Sequence, residues 1–141
     1  MEGKCKSQPY LLLMQTSKSI QERIRLELSH SKLSVTEFSV LEVLYLKGKQ
    51  TINQIGDSIL ITSGSMTYVI DKLEQKGLLK RRACPDDRRA IHVFLTEEGI
   101  ELMRNLMPKH QEFVNSIFES LAKEEAAEIV KLLQKVKNKL T

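Results

Sequence analysis

Residues 61–95 read ITSGSMTYVIDKLEQKGLLKRRACPDDRRAIHVFL, and the fold of the whole chain turns on them. From about residue 63 to Lys76, Met66, Val69, Ile70 and Leu73 recur three and four apart, the spacing of one apolar helix face. At 100° per residue, Tyr68, Asp71 and Gln75 then point away from that face, with Ser65, Thr67 and Lys72 at its flanks. Gly77 is the stop signal. Two runs follow, LLKRR at 78–82 and IHVFL at 91–95, around the turn Cys84-Pro85-Asp86-Asp87. They predict a β-hairpin with cationic residues on its strands and tip.

Upstream, Ser34-Val35-Thr36-Glu37 and Thr51-Ile52-Asn53-Gln54 both have capping-box spacing, in which a hydroxyl takes the amide three residues on and the Glu or Gln reaches back. The first box opens a helix through Phe38, Leu41, Val43, Leu44 and Leu46 that ends at Gly48. The second opens a short helix with Ile52, Ile55 and Ile59 inward. That helix, a turn over residues 60–62 and the helix to Lys76 form a helix-turn-helix, and the hairpin behind it makes a winged helix.

Further out, Leu13, Ile20, Ile24 and Leu28 define an amphipathic helix over about residues 10–28, with Pro9 at its start. Thr96-Glu97-Glu98 caps a long helix whose stripe is Ile100, Met103, Leu106, Met107, Phe113 and Ile117, with a kink expected at Pro108. A last helix over about 123–140 carries Ala126, Ile129, Val130, Leu133, Val136 and Leu140. The expected fold is mainly α with a small β-hairpin wing, in a single domain over residues 1–141. A winged helix-turn-helix lobe at 34–95 is flanked by terminal helices at 1–33 and 96–141. Their apolar faces exceed what the lobe can cover, so a second copy, interleaving its own terminal helices, is the expected partner; the alternative is a monomeric bundle packed on one side of the lobe.

Composition narrows the function. Charged residues make up 28% and apolar residues 41%, ordinary for a globular chain and too apolar for a disordered one. The net charge is +4, and residues 72–96 alone carry +4, a local surplus of the kind that meets phosphates. Cys5 and Cys84 form no CxxC pair, and His30, His92 and His110 lack metal-ligand spacing, so neither metal nor other cofactor is expected. No phosphate-cradling glycine loop or nucleophile elbow is present, which argues against an enzyme. The run Tyr10 to Met14 is too short for a signal or a membrane span, and a cytoplasmic location without membrane contact is expected.

Asp86-Asp87-Arg88-Arg89-Ala90-Ile91-His92-Val93-Phe94-Leu95-Thr96-Glu97-Glu98-Gly99 resembles the wing motif of the MarR family of bacterial regulators, with Asp-x-Arg at Asp87 and Arg89. Leu73-Glu74-Gln75-Lys76-Gly77-Leu78-Leu79 resembles the end of that family's recognition helix, and the order of elements agrees along essentially the whole chain. The resemblance implies a homodimer, most often a repressor, that grips palindromic double-stranded DNA and is released by a small aromatic ligand or by cysteine oxidation. The competing readings are a constitutive DNA-binding protein and a protein-interaction module.

Specific residues follow. Ser63 and Ser65, in the first turn of the recognition helix, suit phosphate oxygens. Thr67 and Tyr68 match the family's base-contacting positions, flanked by Lys72 and Gln75; Tyr68 stands where some relatives have Arg, which removes bidentate reading of guanine there. Arg89 is expected in the minor groove with Asp87 orienting it, while Arg88 and Lys80, Arg81 and Arg82 meet phosphates. The family's ligand site lies between the first, second and fifth helices, where Met14, Tyr45 and Met107 are candidate lining residues. Cys84 sits in the hairpin turn among four arginines, a setting that favours a reactive thiolate, and Cys5 lies between Lys4 and Lys6. The family's peroxide sensors carry their cysteine in the first helix, where this chain has Leu12.

Overall fold

A computed structural model of the chain describes residues 2–59, 65–87 and 89–141, with the backbone alone for residues 2–7. The elements in order are α1 (Glu2–Glu27), α2 (Val35–Lys47), β1 (Gln50–Thr51), α3 (Ile52–Ser58), α4 (Met66–Gln75), β2 (Leu79–Ala83), β3 (Ile91–Leu95), α5 (Glu97–Ile117) and α6 (Lys123–Leu140). They fall into two compact units, Met1–Asn105 and Leu106–Thr141.

In the first unit both capping boxes form. Ser34 Oγ accepts the Glu37 amide at 3.0 Å and Glu37 Oε1 accepts the Ser34 amide at 2.9 Å. Thr51 and Gln54 repeat the exchange at 3.1 and 2.9 Å. Each box satisfies two amides that a helix start leaves unpaired, so both helices begin where the sequence places them. Gly48 ends α2 at φ +77°, a backbone conformation natural to glycine.

α2 packs on α4 and on β3, which makes it the centre of the lobe. Phe38, Val40, Leu41 and Leu44 of α2 are buried with Ile55 of α3, Ile70 and Leu73 of α4, Leu79 of β2 and Val93 of β3. Each such side chain contributes about 1.5–3 kcal/mol relative to an exposed position. The sheet is antiparallel in the order β1-β3-β2, with Arg81 opposite Val93 and Gln50 also paired to Val93.

Three features differ from the sequence reading. The hairpin gains a third strand, β1, because residues 50–51 pair with β3 before they cap α3. α1 begins at Glu2 and encloses Pro9, which was expected at its start; the ring removes one backbone bond, and the helix continues on both sides. Ser65 is the N-cap of α4 rather than part of its first turn, and its side chain makes no capping bond.

The start of α5 is pinned to the end of α4. Thr96 Oγ1 donates to the Gly77 carbonyl at 2.6 Å and accepts the Gly99 amide at 3.1 Å, while the Thr96 amide donates to the Leu78 carbonyl at 3.1 Å. A Cβ at Gly99 would collide with that carbonyl, so glycine here permits a close backbone approach.

In the second unit, α5 continues through Pro108 to a turn at 118–121, and α6 follows. Phe113 is buried, but none of the α6 residues is. Val130, Leu132, Leu133, Val136 and Leu140 all stand exposed, Leu140 at 82%.

Candidate nucleic-acid interface

α4 owes its orientation to its apolar stripe. Val69, Ile70 and Leu73 are buried and Met66 is half-buried, which turns Thr67, Tyr68, Lys72 and Gln75 to the surface. Tyr68 is 59% exposed, and the Lys72 ammonium lies 5.3 Å from its ring centroid, one helical turn on. A cation held over an exposed ring contributes about 0.5–1 kcal/mol. The contact presents a cation and an aromatic edge as one feature on the outer face.

The wing follows the two-residue period of a strand. Leu79 is buried, so Arg81 shares its face of β2, while Lys80 and Arg82 take the other. Arg82 stacks over Phe94 at 5.3 Å, so the two outward cations project from a surface firmed by an aromatic ring. Arg81 meets α4 instead. Its guanidinium reaches Asp71 Oδ1 at 2.7 Å and Glu74 Oε1 at 2.8 Å, and its amide donates to Glu74 Oε2 at 3.1 Å. The Arg81 hydrogen bond holds the Glu74 carboxyl below its ordinary pKa, against a smaller opposing effect of burial.

This pairing alters the field of the surface. Asp71 was expected to point freely outward from the recognition helix, where it would repel phosphates. Bound to Arg81, the two acids of the helix are partly compensated, the three groups together carrying one net negative charge instead of two, and among the described residues Lys72, Lys80, Arg82 and Arg89 are exposed cations. Glu74 was not singled out from the sequence. Its signal was there: acids at 71 and 74 lie on one helix face, and an arginine follows on a strand whose inward face is already marked by Leu79.

At the wing tip, the Asp87 carboxylate accepts the Arg89 amide at 3.0 Å, and the Asp87 carbonyl accepts the Ala90 amide at 3.1 Å. The Cys84 amide closes the hairpin on the Ala90 carbonyl at 2.9 Å. Asp87 therefore orients Arg89 through the backbone, and Arg89 itself is exposed. Ser63 and Arg88 lie outside the described residues.

The remaining candidates lie on separate elements. Met14 is exposed on α1 and Tyr45 half-buried on α2, both in the first unit; Met107 is half-buried in the second. Cys84 is a free, half-buried thiol at the end of β2. Cys5 lies in α1, and its side chain is outside the described residues. Among the described residues, no group of three His, Cys, Asp or Glu is placed to hold a metal ion, and no helix is long and apolar enough to cross a membrane.

Known proteins with this arrangement are numerous. The family model described as MarR family matches residues 33–91. The HTH-type transcriptional regulator MhqR of Bacillus subtilis is 42% identical over 127 residues, covering 90% of this chain and 88% of that protein. Among solved structures, Bordetella bronchiseptica BpsR, described as having its DNA binding regulated by 6-hydroxynicotinic acid, superposes with a TM-score of 0.79 at 28% identity, over 92% of this chain and 98% of that one. A mutant MarR from E. coli complexed with operator DNA has the same fold, with a TM-score of 0.82 at 22% identity over 94% and 96% of the two chains.

Proposed function

The chain belongs to the MarR family of transcriptional regulators, and we propose that it binds a palindromic operator as a homodimer, represses transcription there and is released by a small aromatic ligand. The observation that carries the DNA contact is the Arg81 bridge to Asp71 and Glu74. It offsets one of the two negative charges on the face of α4 that must approach phosphates, and it ties the wing to the helix it works beside. α4 then enters the major groove with Thr67, Tyr68, Lys72 and Gln75 toward base edges, Ser63 and Ser65 toward phosphates, and the wing following the backbone. Arg82 and Arg88 meet phosphates, and Arg89, held by Asp87, reaches the minor groove. Arg81 serves within the chain, as the brace between the two readers.

The homodimer is supported by α6, whose apolar stripe has no buried member in the single chain. A two-fold partner would cover it and set the half-site spacing of about 34–36 Å. Release by a small molecule is supported by the likeness to BpsR, whose DNA binding a small aromatic acid regulates. Oxidation at Cys84 or Cys5 is the weaker trigger, because the peroxide sensors of the family carry their cysteine in the first helix, where this chain has Leu12. A mobility-shift assay on the DNA upstream of its own gene, with and without small aromatic acids, tests the proposal. A retarded complex that the acids dissolve supports it, and no complex at physiological salt overturns it.

A further inference from the structure

One ammonium joins three segments of the lobe. Lys76, the C-cap of α4, donates from Nζ to Glu37 Oε2 at 2.7 Å and to the Lys32 carbonyl at 3.0 Å. Glu37 is the N3 residue of α2, and its other oxygen accepts the Ser34 amide. Lys32 lies in the turn out of α1 and holds φ at +61°, a left-handed conformation that a side chain disfavours. The Glu37 side chain is only 7% exposed. Burial pushes its pKa up, but the Lys76 bond and the Ser34 amide outweigh that and hold it below the ordinary value. The pair is thus a buried carboxylate with both oxygens engaged, and a lysine whose side chain stays partly exposed while its ammonium is held by two acceptors within the chain.

Nothing in the DNA contacts above uses this ammonium, yet it sits at the C-terminal end of the recognition helix. α4 has ten residues, so it is about 15 Å long, and a tilt of about 5° at the C-cap carries its far end by about 1.3 Å. A shift of that size breaks a base-edge hydrogen bond but leaves long-range attraction to phosphates intact. We infer that Lys76 is a positioning residue for DNA reading: shared between Glu37 and the Lys32 carbonyl, it tethers the C-terminal end of α4 to the turn between α1 and α2, so that the way this turn is held sets how well the operator is read. The inference rests on the DNA-binding reading above. It gives α1 a mechanical link to the reading helix through the turn at its end.

The test uses a duplex selected by the wild-type protein from a random pool, and a scrambled duplex of the same length and composition. Binding of the full chain to each is measured across a salt series for wild type, Lys76→Met, Glu37→Gln and the double variant. Met keeps the stem of the side chain, and Gln keeps the Ser34 cap. The tether predicts that each single variant binds the selected duplex about 3- to 30-fold more weakly. It also predicts unchanged binding to the scrambled duplex, an unchanged salt slope, and a double variant no weaker than the worse single one. A merely stabilising contact leaves the ratio between the two duplexes where it was, as long as the protein is folded; should Lys76→Met melt below the assay temperature, Glu37→Gln gives the same comparison. Equal losses on both duplexes with the slope reduced by about one mark Lys76 as a phosphate contact and overturn the tether. Folded variants that match wild type on the selected duplex also overturn it, alone. A wild type that selects no duplex overturns the DNA-binding reading, and the tether with it.

Discussion

The Arg81 guanidinium donates to the Glu74 carboxylate at 2.8 Å, and this bond joins the wing to the recognition helix. Asp71 completes a fork on the same guanidinium. All three side chains are partly exposed, so the contribution to stability is small, about 0.5–1 kcal/mol. The effect on geometry is larger, because a planar guanidinium fixes two carboxylates at once. Arg81→Lys is therefore expected to lower operator affinity nearly as much as Arg81→Ala, since an ammonium cannot reproduce the fork. Fluorescence anisotropy on a selected duplex checks this; full affinity in the Lys variant shows that charge alone suffices.

Acid should loosen the lobe in a defined window. Glu37 and Glu74 both have folded-state pKa values below their ordinary value of 4.5. The unfolded chain therefore takes up protons first, and the stability these groups contribute, complete above pH 4.5, is lost as the pH falls through their lowered values. Urea denaturation between about pH 7 and about pH 3 should show a flat plateau and then a decline. Glu37→Gln should shift the plateau down and make the decline shallower; an acid limb identical to wild type excludes Glu37 as a contributor.

Gly99→Ala should be the most damaging glycine-to-alanine substitution among the described residues. The added methyl meets the Leu78 carbonyl, which Thr96 already holds, so the backbone at the base of the wing must move. A loss of about 2–3 kcal/mol is expected, as for other forced overpacking. Thermal denaturation measures it, with Gly56→Ala as the control, where a Cβ meets nothing within 4 Å.

Much of this was legible because the signals were local. Both capping boxes, the Gly48 stop, the α4 stripe and the hairpin are written within a few residues of where they act, and each formed as read. β1 was not legible, because two residues show no period and their strand character comes wholly from β3. The extent of α1 past Pro9 was missed for a related reason, since a proline reads as a boundary although it removes only one bond. The charged contacts divide in the same way. Asp87 and Arg89 lie two apart and were found together, whereas Lys76 and Glu37 are 39 residues apart and meet only once α4 packs on α2. Arg81 was grouped with its outward neighbours although strand alternation places it with Leu79.

Arg89→Ala should weaken binding to the selected duplex by about 1–3 kcal/mol if it enters the minor groove. The loss should be smaller on a duplex with G·C pairs flanking each half-site than on one with A·T pairs there, because guanine places an amino group in that groove. Equal losses on both duplexes assign Arg89 to the phosphates instead.

The dimer proposal puts α6 at the interface. Val136→Glu, at an exposed position of its apolar stripe, should convert a dimer of about twice the 16.2 kDa chain mass into monomer in sedimentation equilibrium while leaving the lobe folded. A wild type that sediments as a monomer at micromolar concentration contradicts it.

The most direct test of the whole account is the salt dependence of binding by the wild-type chain to its selected duplex. With Lys72, Lys80, Arg82 and Arg89 available on each of two copies, a plot of log affinity against log salt should fall with a slope of about −5 or steeper. The scrambled duplex should bind at least about 1000-fold more weakly at physiological salt. A slope near zero, or equal binding to the two duplexes, contradicts the claim that α4 and its braced wing read DNA.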